Sequence, residues 1–314
     1  MDFEIPSSED SLNSIRKYIN RTPLSYSERL SEKCGSEVYL KLENLQKTGS
    51  FKVRGALNKV LNMESDRPVV AASSGNHGAA VSYALSKRQK SGKIYVPTNV
   101  KKLKADNIRS YGSEVIKFGK DCLDAENEAI RVSKENNYKF ISPYNDKDII
   151  SGQGTIGVEI LEENDEIDIV FITVGGGGLV SGIAHYLKSK KPNVKVIGCS
   201  PENSSIMINS IKHGKIINSQ SKDTLSDGSA GGVEEGSITF DLCRNLIDDY
   251  CLVSEEEIAK QIRDSLNYDK IVIEGSAAVA IASLVKMKQE LKNKNIAVII
   301  CGGNIGSETI KSIL

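Results

Sequence analysis

Ile167-Asp-Ile-Val-Phe-Ile-Thr-Val174, Gly175-Gly-Gly-Gly178, Leu179-Val-Ser-Gly-Ile-Ala-His-Tyr-Leu187: this unbroken stretch decides the fold. Its first third is apolar, β-branched and of strand length, and its last third repeats apolar residues at a helical period. The four glycines between them free the backbone to turn its N–H groups toward one point, at the N-terminus of the coming helix. Backbone donors and the helix dipole together make a phosphate cradle there. A merely flexible turn is the weaker reading, because four ordered glycines lose much conformational entropy. The Lys-Ser/Thr of a nucleoside-triphosphate loop is missing, and so is the GxGxxG spacing of a dinucleotide site with its later acidic residue. A small phosphate monoester fits best.

The same strand-then-helix alternation runs outward in both directions. Candidate strands are Glu37–Leu42, Pro68–Ala72, Lys93–Val96, Glu114–Lys117, Val194–Gly198 and Ile296–Ile300. Stretches of helical period lie between most of them, Asp121–Asn136 and Ile258–Leu266 among them. That order predicts an α/β fold: parallel-type sheets flanked by helices, in two interleaved lobes. Ligands gather beyond the carboxyl ends of strands in such folds. The chain has 314 residues, enough for two domains or one large α/β unit, and no Pro/Gly/Ser linker or internal repeat divides it.

Composition narrows the partner. Lys plus Arg and Asp plus Glu are both 41, and aromatics make up 5% with no Trp, so neither a phosphate backbone nor stacked bases have a surface to meet. The start has no basic or apolar signal region, and no apolar run is long enough to span a bilayer. The six cysteines show no CxxC pair and read as reduced, cytosolic thiols; the three histidines lack metal-ligand spacing. The expected partner is a small molecule, with no nucleic acid, membrane or metal.

Three further motifs carry chemistry. Thr48-Gly-Ser-Phe-Lys-Val-Arg-Gly-Ala56 places Lys52 at the start of an apolar-periodic helix, where the dipole disfavours an ammonium and favours the neutral, nucleophilic amine. Alone, that segment reads more simply as a solvated lysine in a first turn; the glycine motifs reverse the balance. Ser73-Ser-Gly-Asn-His-Gly78 follows a strand and precedes the helical run Ala79–Leu85, offering a second anion site. Ser74 by itself would be an ordinary N-cap. Cys301-Gly-Gly-Asn-Ile-Gly306 again lies at a strand's end, and Cys301 by itself reads as a small buried hydrophobe. Two anion sites and one lysine point to a substrate carboxylate beside a cofactor phosphate.

Taken together these residues resemble the β-family, fold type II, of pyridoxal-phosphate enzymes, nearest its serine/threonine dehydratase and serine racemase branch. The resemblance runs from Arg21-Thr-Pro-Leu24 through Lys41–Lys52, Ser151-Gly-Gln-Gly-Thr155, Ser226-Asp-Gly228 and Glu274-Gly-Ser-Ala277 to the Cys301 loop. It implies a tryptophan-synthase-β-like fold, with a large cofactor-binding domain of residues 1–68 plus 144–314 and a small mobile domain of 69–143. It implies pyridoxal 5'-phosphate bound covalently by Lys52, flanked by Phe51 and held at its 3′ oxygen by Asn76. Gly175, Gly176, Gly177, Gly178 and Leu179 would hold the phosphate, and Cys301 would face the pyridine nitrogen. A neutral partner there suits elimination over transamination.

Ser73, Ser74, Asn76 and His77 would receive the amino-acid substrate. The freed Lys52 amine would take the Cα proton, and the β-hydroxyl would leave, protonated in this family by the cofactor phosphate. The implied activity is α,β-elimination from L-threonine and/or L-serine to 2-oxobutyrate or pyruvate plus ammonia. Leu225–Arg244 also looks like dehydratases linked to hydroxyectoine utilisation, so another 3-hydroxy amino acid, 3-hydroxyaspartate included, is the alternative. Ser74 matches the catalytic acid of racemases and keeps amino-acid racemisation open. A non-catalytic binding protein would not need the intact lysine and asparagine loops. Ser200 and Ile206 stand where many relatives have metal-binding acids, so no metal site is carried over. With Leu314 last, feedback through an appended amino-acid sensor is not expected. Relatives are commonly homodimers or homotetramers, and a homo-oligomer is expected here.

Overall fold

The computed structural model describes residues 4–64 and 66–314. Ten strands occur among them: β1 Leu24–Tyr26, β2 Glu37–Lys41, β3 Val69–Ala72, β4 Gly92–Val96, β5 Glu114–Lys117, β6 Lys139–Phe140, β7 Ile169–Thr173, β8 Lys195–Pro201, β9 Asp249–Val253 and β10 Asn295–Ile299. They form a six-stranded sheet in the order β1-β2-β10-β7-β8-β9 and a four-stranded sheet in the order β5-β4-β3-β6. Every pair is parallel except β1 with β2. The expected α/β class, with parallel sheets and flanking helices, is what the chain adopts.

Burial explains which strands were legible. All five residues of β7 are buried, as a central parallel strand covered on both faces requires. The strands that patterning missed are β1, β6 and β9, all at sheet edges. β1 and β6 have only three and two residues, and β9 keeps Asp249 and Tyr250 exposed. Short or half-wet edges carry too little apolar signal to stand out.

One hydrophobic cluster lies about the larger sheet, from Val38 and Leu40 through Phe171 and Val196 to Val298 and Ile300. The helix Gly275–Met287 packs against β7, β8, β9 and β10. A second cluster joins β3 and β4 to residues outside the smaller sheet, namely Leu12, Ile15 and Ile19 and the buried face of the helix Lys52–Leu61. That helix contacts both the helix Asn76–Lys87 beside the small sheet and the long helix Lys147–Glu163. The lysine helix therefore forms the floor on which the two sheets meet.

Candidate active site

Strand order assembles the site. β2, β10 and β7 are parallel neighbours, so the segments that leave the carboxyl ends of β10 and β7 emerge side by side. These are the Cys301 loop and the tetraglycine loop. An antiparallel bridge between Ser50 and Gly302, with the Phe51 N–H donating to Cys301 O at 3.0 Å, ties the lysine turn to the Cys301 loop. The resulting pocket is lined by Phe51, Lys52, Asn76, Tyr144, Thr173, Gly175, Gly176, Gly177, Gly178, Leu179, Gly228, Ser229, Glu274, Ser276 and Cys301. Distant parts of the chain thus converge on one cleft.

Lys52 opens its helix, as expected, and its amine lies in this pocket, donating to Pro143 O at 2.9 Å. Its pKa falls to about 8. The reason is chiefly desolvation, with Cys301 and Glu274 pulling the other way. A substantial fraction of the amine is therefore neutral near physiological pH. Cys301 is buried, and burial, then Glu274, push its thiol well above the usual range, so it is un-ionised.

The Ser73–Gly78 loop arrives from the other sheet, at the end of β3. Gly75, not Ser74, is the N-cap of the helix Asn76–Lys87, and no side chain caps it. Ser73 Oγ accepts from Gly75 N at 3.1 Å. Ser74 lies beside the Cys122 thiol. Asn76 points into the pocket, where its Nδ2 donates to the Glu274 carboxylate at 2.8 Å. The His77 ring turns away: it is buried, its pKa is lowered to about 3 by burial and then by Lys52, and its Nε2 lies 2.9 Å from Ile141 O. A neutral imidazole donating to a backbone carbonyl has only its own main-chain N–H to offer a ligand at this helix start.

At the tetraglycine loop the glycines are required by space. A Cβ on Gly176 would stand 2.3 Å from the Tyr144 ring, and one on Gly175 would stand 2.7 Å from Ser229 O. Gly177 adopts φ +88°, in the left-handed region, and caps the helix Gly178–Lys190 without any side-chain bond. The loop thus keeps a close, side-chain-free wall at a helix N-terminus, which is a cradle for an anion.

A family model described as pyridoxal-phosphate dependent enzyme matches residues 15–302. The chain belongs to this family. Among its relatives, the L-threonine ammonia-lyase of Thermotoga maritima is 40% identical over 309 residues, spanning 98% of this chain and 77% of that protein. The processed form of threonine deaminase isoform 2 from Solanum lycopersicum superimposes with a TM-score of 0.92 at 35% identity, covering 97% of this chain and 90% of that one. Maize serine racemase does so with a TM-score of 0.92 at 32% identity, covering 98% and 95%.

The pocket of this pyridoxal-phosphate dependent enzyme fits its cofactor in kind. It joins a partly neutral lysine amine to a wall of glycines at an uncapped helix start, as an aldehyde and a phosphate on one small ring would need.

Sequence reasoning quoted the segments of Thr173, Gly228, Ser229, Glu274 and Ser276 but gave those residues no role, and it missed Tyr144. An acidic residue just before an apolar helix reads as a complement to the helix dipole, which gives no sign that Glu274 enters the pocket. It also missed a buried ionic network beneath the lysine helix. Arg54, fully buried, bonds Glu43 at 2.7 Å and Glu159 at 2.7 Å, and Lys41 bonds Glu159 at 2.8 Å.

Proposed function

We propose that this enzyme is an ammonia-lyase acting on L-threonine and/or L-serine, releasing 2-oxobutyrate or pyruvate and ammonia. The observation that carries the reading is the Lys52 amine, lowered to about 8, in one pocket with the tetraglycine wall. Relatives named for threonine ammonia-lyase and threonine deaminase activity support the choice of substrate.

In this reading the N–H groups of Gly175 to Gly178 and Leu179 bind the phosphate, and Phe51 flanks the ring. Asn76 offers an N–H to the ring's 3′ oxygen, and Cys301 presents a neutral thiol to the pyridine nitrogen. When bound, pyridoxal phosphate supplies an electron sink conjugated to the substrate Cα. Ser73, Ser74, Asn76 and the main chain of His77 hold the substrate carboxylate at the uncapped helix start. The Lys52 Nζ, neutral once released, takes the proton from Cα, a transfer that typically contributes ~10²–10⁴-fold. Because the Cys301 thiol is neutral, it does not hold a proton on the ring nitrogen, which favours loss of the β-hydroxyl over transamination.

Charge favours a neutral side chain on the substrate. Among the described residues lining the pocket, Lys52 is the only basic side chain, while Glu274 is acidic. A second carboxylate, as in 3-hydroxyaspartate, would be desolvated without a cationic partner. Racemisation is the second reading, supported by Ser74 and by the likeness to serine racemase. It requires the Ser74 hydroxyl to face Cα. The enzyme acts in the cytosol, in keeping with six free cysteines, and assembles as a homodimer or homotetramer. Residues 69–143 move as a smaller lobe over the cleft.

The test is a visible spectrum of the protein supplied with pyridoxal phosphate, then 2-oxo acid release from L-threonine, L-serine, their D-isomers and L-threo-3-hydroxyaspartate. Lysine-dependent absorption with fastest release from L-threonine or L-serine supports the proposal. Absorption with hydroxyaspartate as the best substrate overturns the substrate, and D-serine formation without 2-oxo acid replaces elimination by racemisation.

A further inference from the structure

Glu274-Gly-Ser-Ala277 stands out in the sequence, yet the proposed chemistry gives Glu274 no task. Glu274 is the N-cap residue of the helix Gly275–Met287, but its side chain makes no cap bond there. Its buried carboxylate reaches into the pocket instead. There it accepts from Asn76 Nδ2 at 2.8 and 3.1 Å and from the Asn304 backbone N–H at 3.0 Å. The Asn304 side chain completes the set, with Nδ2 donating to Thr48 O at 2.8 Å and to Asn76 Oδ1 at 2.7 Å.

Counting donors and acceptors shows what this set does. A backbone carbonyl only accepts, so Thr48 O obliges the Asn304 amide to turn its nitrogen inward. The second Asn304 hydrogen then needs an acceptor and finds Asn76 Oδ1. An ionised carboxylate also only accepts, so Glu274 takes one hydrogen of Asn76 Nδ2. Both ends of the Asn76 amide are thereby specified, and one N–H is left over. The contact also spans the cleft, since Asn76 follows β3 of the small sheet while Asn304 follows β10 of the large one.

We propose that Glu274, assisted by Asn304, is a positioning residue that locks the Asn76 amide in the flip presenting an N–H, not an oxygen, to the ring oxygen of the bound cofactor. This rests on the reading of Asn76 given above. Burial pushes the Glu274 carboxyl up to about 7, so the acceptor-only state that enforces the flip is well populated in neutral solution. A glutamine at 274 can donate as well as accept, so both flips of Asn76 become compatible with it. An Asn76 oxygen facing the ring oxygen would disfavour that oxygen's ionised form and loosen the cofactor.

The experiment uses the holoenzyme and reads two quantities besides turnover: the pH midpoint of its visible absorption change and the cofactor Kd from equilibrium dialysis. Glu274→Gln should raise the midpoint and weaken the cofactor about tenfold, the scale of one hydrogen bond. Asn304→Ala should shift both in the same direction. Asn76→Ala should match them, and adding Glu274→Gln to it should change nothing more, because the carboxylate acts through Asn76. If Asn76→Ala shifts the midpoint while Glu274→Gln and Asn304→Ala keep the wild-type value, the lock is overturned and the role of Asn76 stands. If Asn76→Ala leaves the midpoint unmoved, the role of Asn76 and the lock fall together. Should Glu274→Gln fail to fold, the Asn304→Ala and Asn76→Ala cycle decides by the same comparison.

Discussion

Gly176 and the ring of Tyr144 touch so closely that a Cβ on the glycine would stand 2.3 Å from the ring. The ring is pinned from its far end, where the hydroxyl accepts from the Glu234 backbone N–H at 2.9 Å. Neither partner can yield cheaply, so the shape of the tetraglycine wall is set by Tyr144. Gly176→Ala should push the loop into the cofactor's space and weaken pyridoxal phosphate binding by at least about tenfold, equivalent to one 1.4 kcal/mol step. Adding Tyr144→Ala should recover part of the loss, because contacting residues couple. Equilibrium dialysis of the two variants checks this, and wild-type affinity in Gly176→Ala would sink it.

Lys52 should betray its environment in the rate of covalent cofactor attachment. With its pKa lowered to about 8, chiefly by burial, the neutral amine grows roughly fivefold between pH 7 and pH 8 and then levels off. A solvated lysine would keep gaining about tenfold per pH unit to near pH 10. Stopped-flow mixing of apoprotein with pyridoxal phosphate across this range separates the two courses. In Lys52→Ala the attachment should vanish altogether.

The fold was legible wherever burial wrote a repeating pattern, and the site wherever geometry demanded glycine. β7 is buried throughout and runs straight into Gly175, so one stretch announced both. Lys52, Asn76 and Cys301 were legible because each sits in a motif at a strand or helix end. Tyr144 was not, since an aromatic in a loop looks alike whether it walls a pocket or faces solvent. The ring of His77 escaped for a related reason: the motif marks its backbone place at a helix start, while the ring's direction depends on Ile141, distant in sequence. Edge strands β1, β6 and β9 lacked the length or the dryness to show a pattern.

Arg54 is two residues beyond Lys52 and fully buried, with Glu43 and Glu159 each at 2.7 Å. Replacing it by methionine preserves bulk but leaves two buried carboxylates with one cation fewer. Breaking a buried pair in this way costs roughly 3–5 kcal/mol. Arg54→Met should therefore lower the unfolding free energy by that order in denaturant titration. A loss below about 1 kcal/mol, the level of surface pairs, would contradict the picture of a network that holds the lysine helix in place.

Glu274 makes a prediction about stability that is independent of the cofactor. Its carboxyl is raised from 4.5 to about 7, chiefly by burial, so between these values the folded protein holds a proton that the unfolded chain releases. The stability linked to this group is fully present below pH 4.5 and is lost as pH rises through 7. Glu274→Gln cannot titrate and escapes the loss. The apoprotein should thus fall behind the variant by up to roughly 3 kcal/mol between pH 4.5 and 7.5, since one pKa unit is 1.36 kcal/mol. Stopping at pH 7.5 keeps Lys52 largely out of the comparison: its own lowered value makes stability rise with pH only from about 8 upward. Thermal melts of both apoproteins across the window measure the gap. Parallel curves would mean that Glu274 titrates like an exposed carboxylate, whereas a gap that opens with pH identifies it as the buried acid of this pocket.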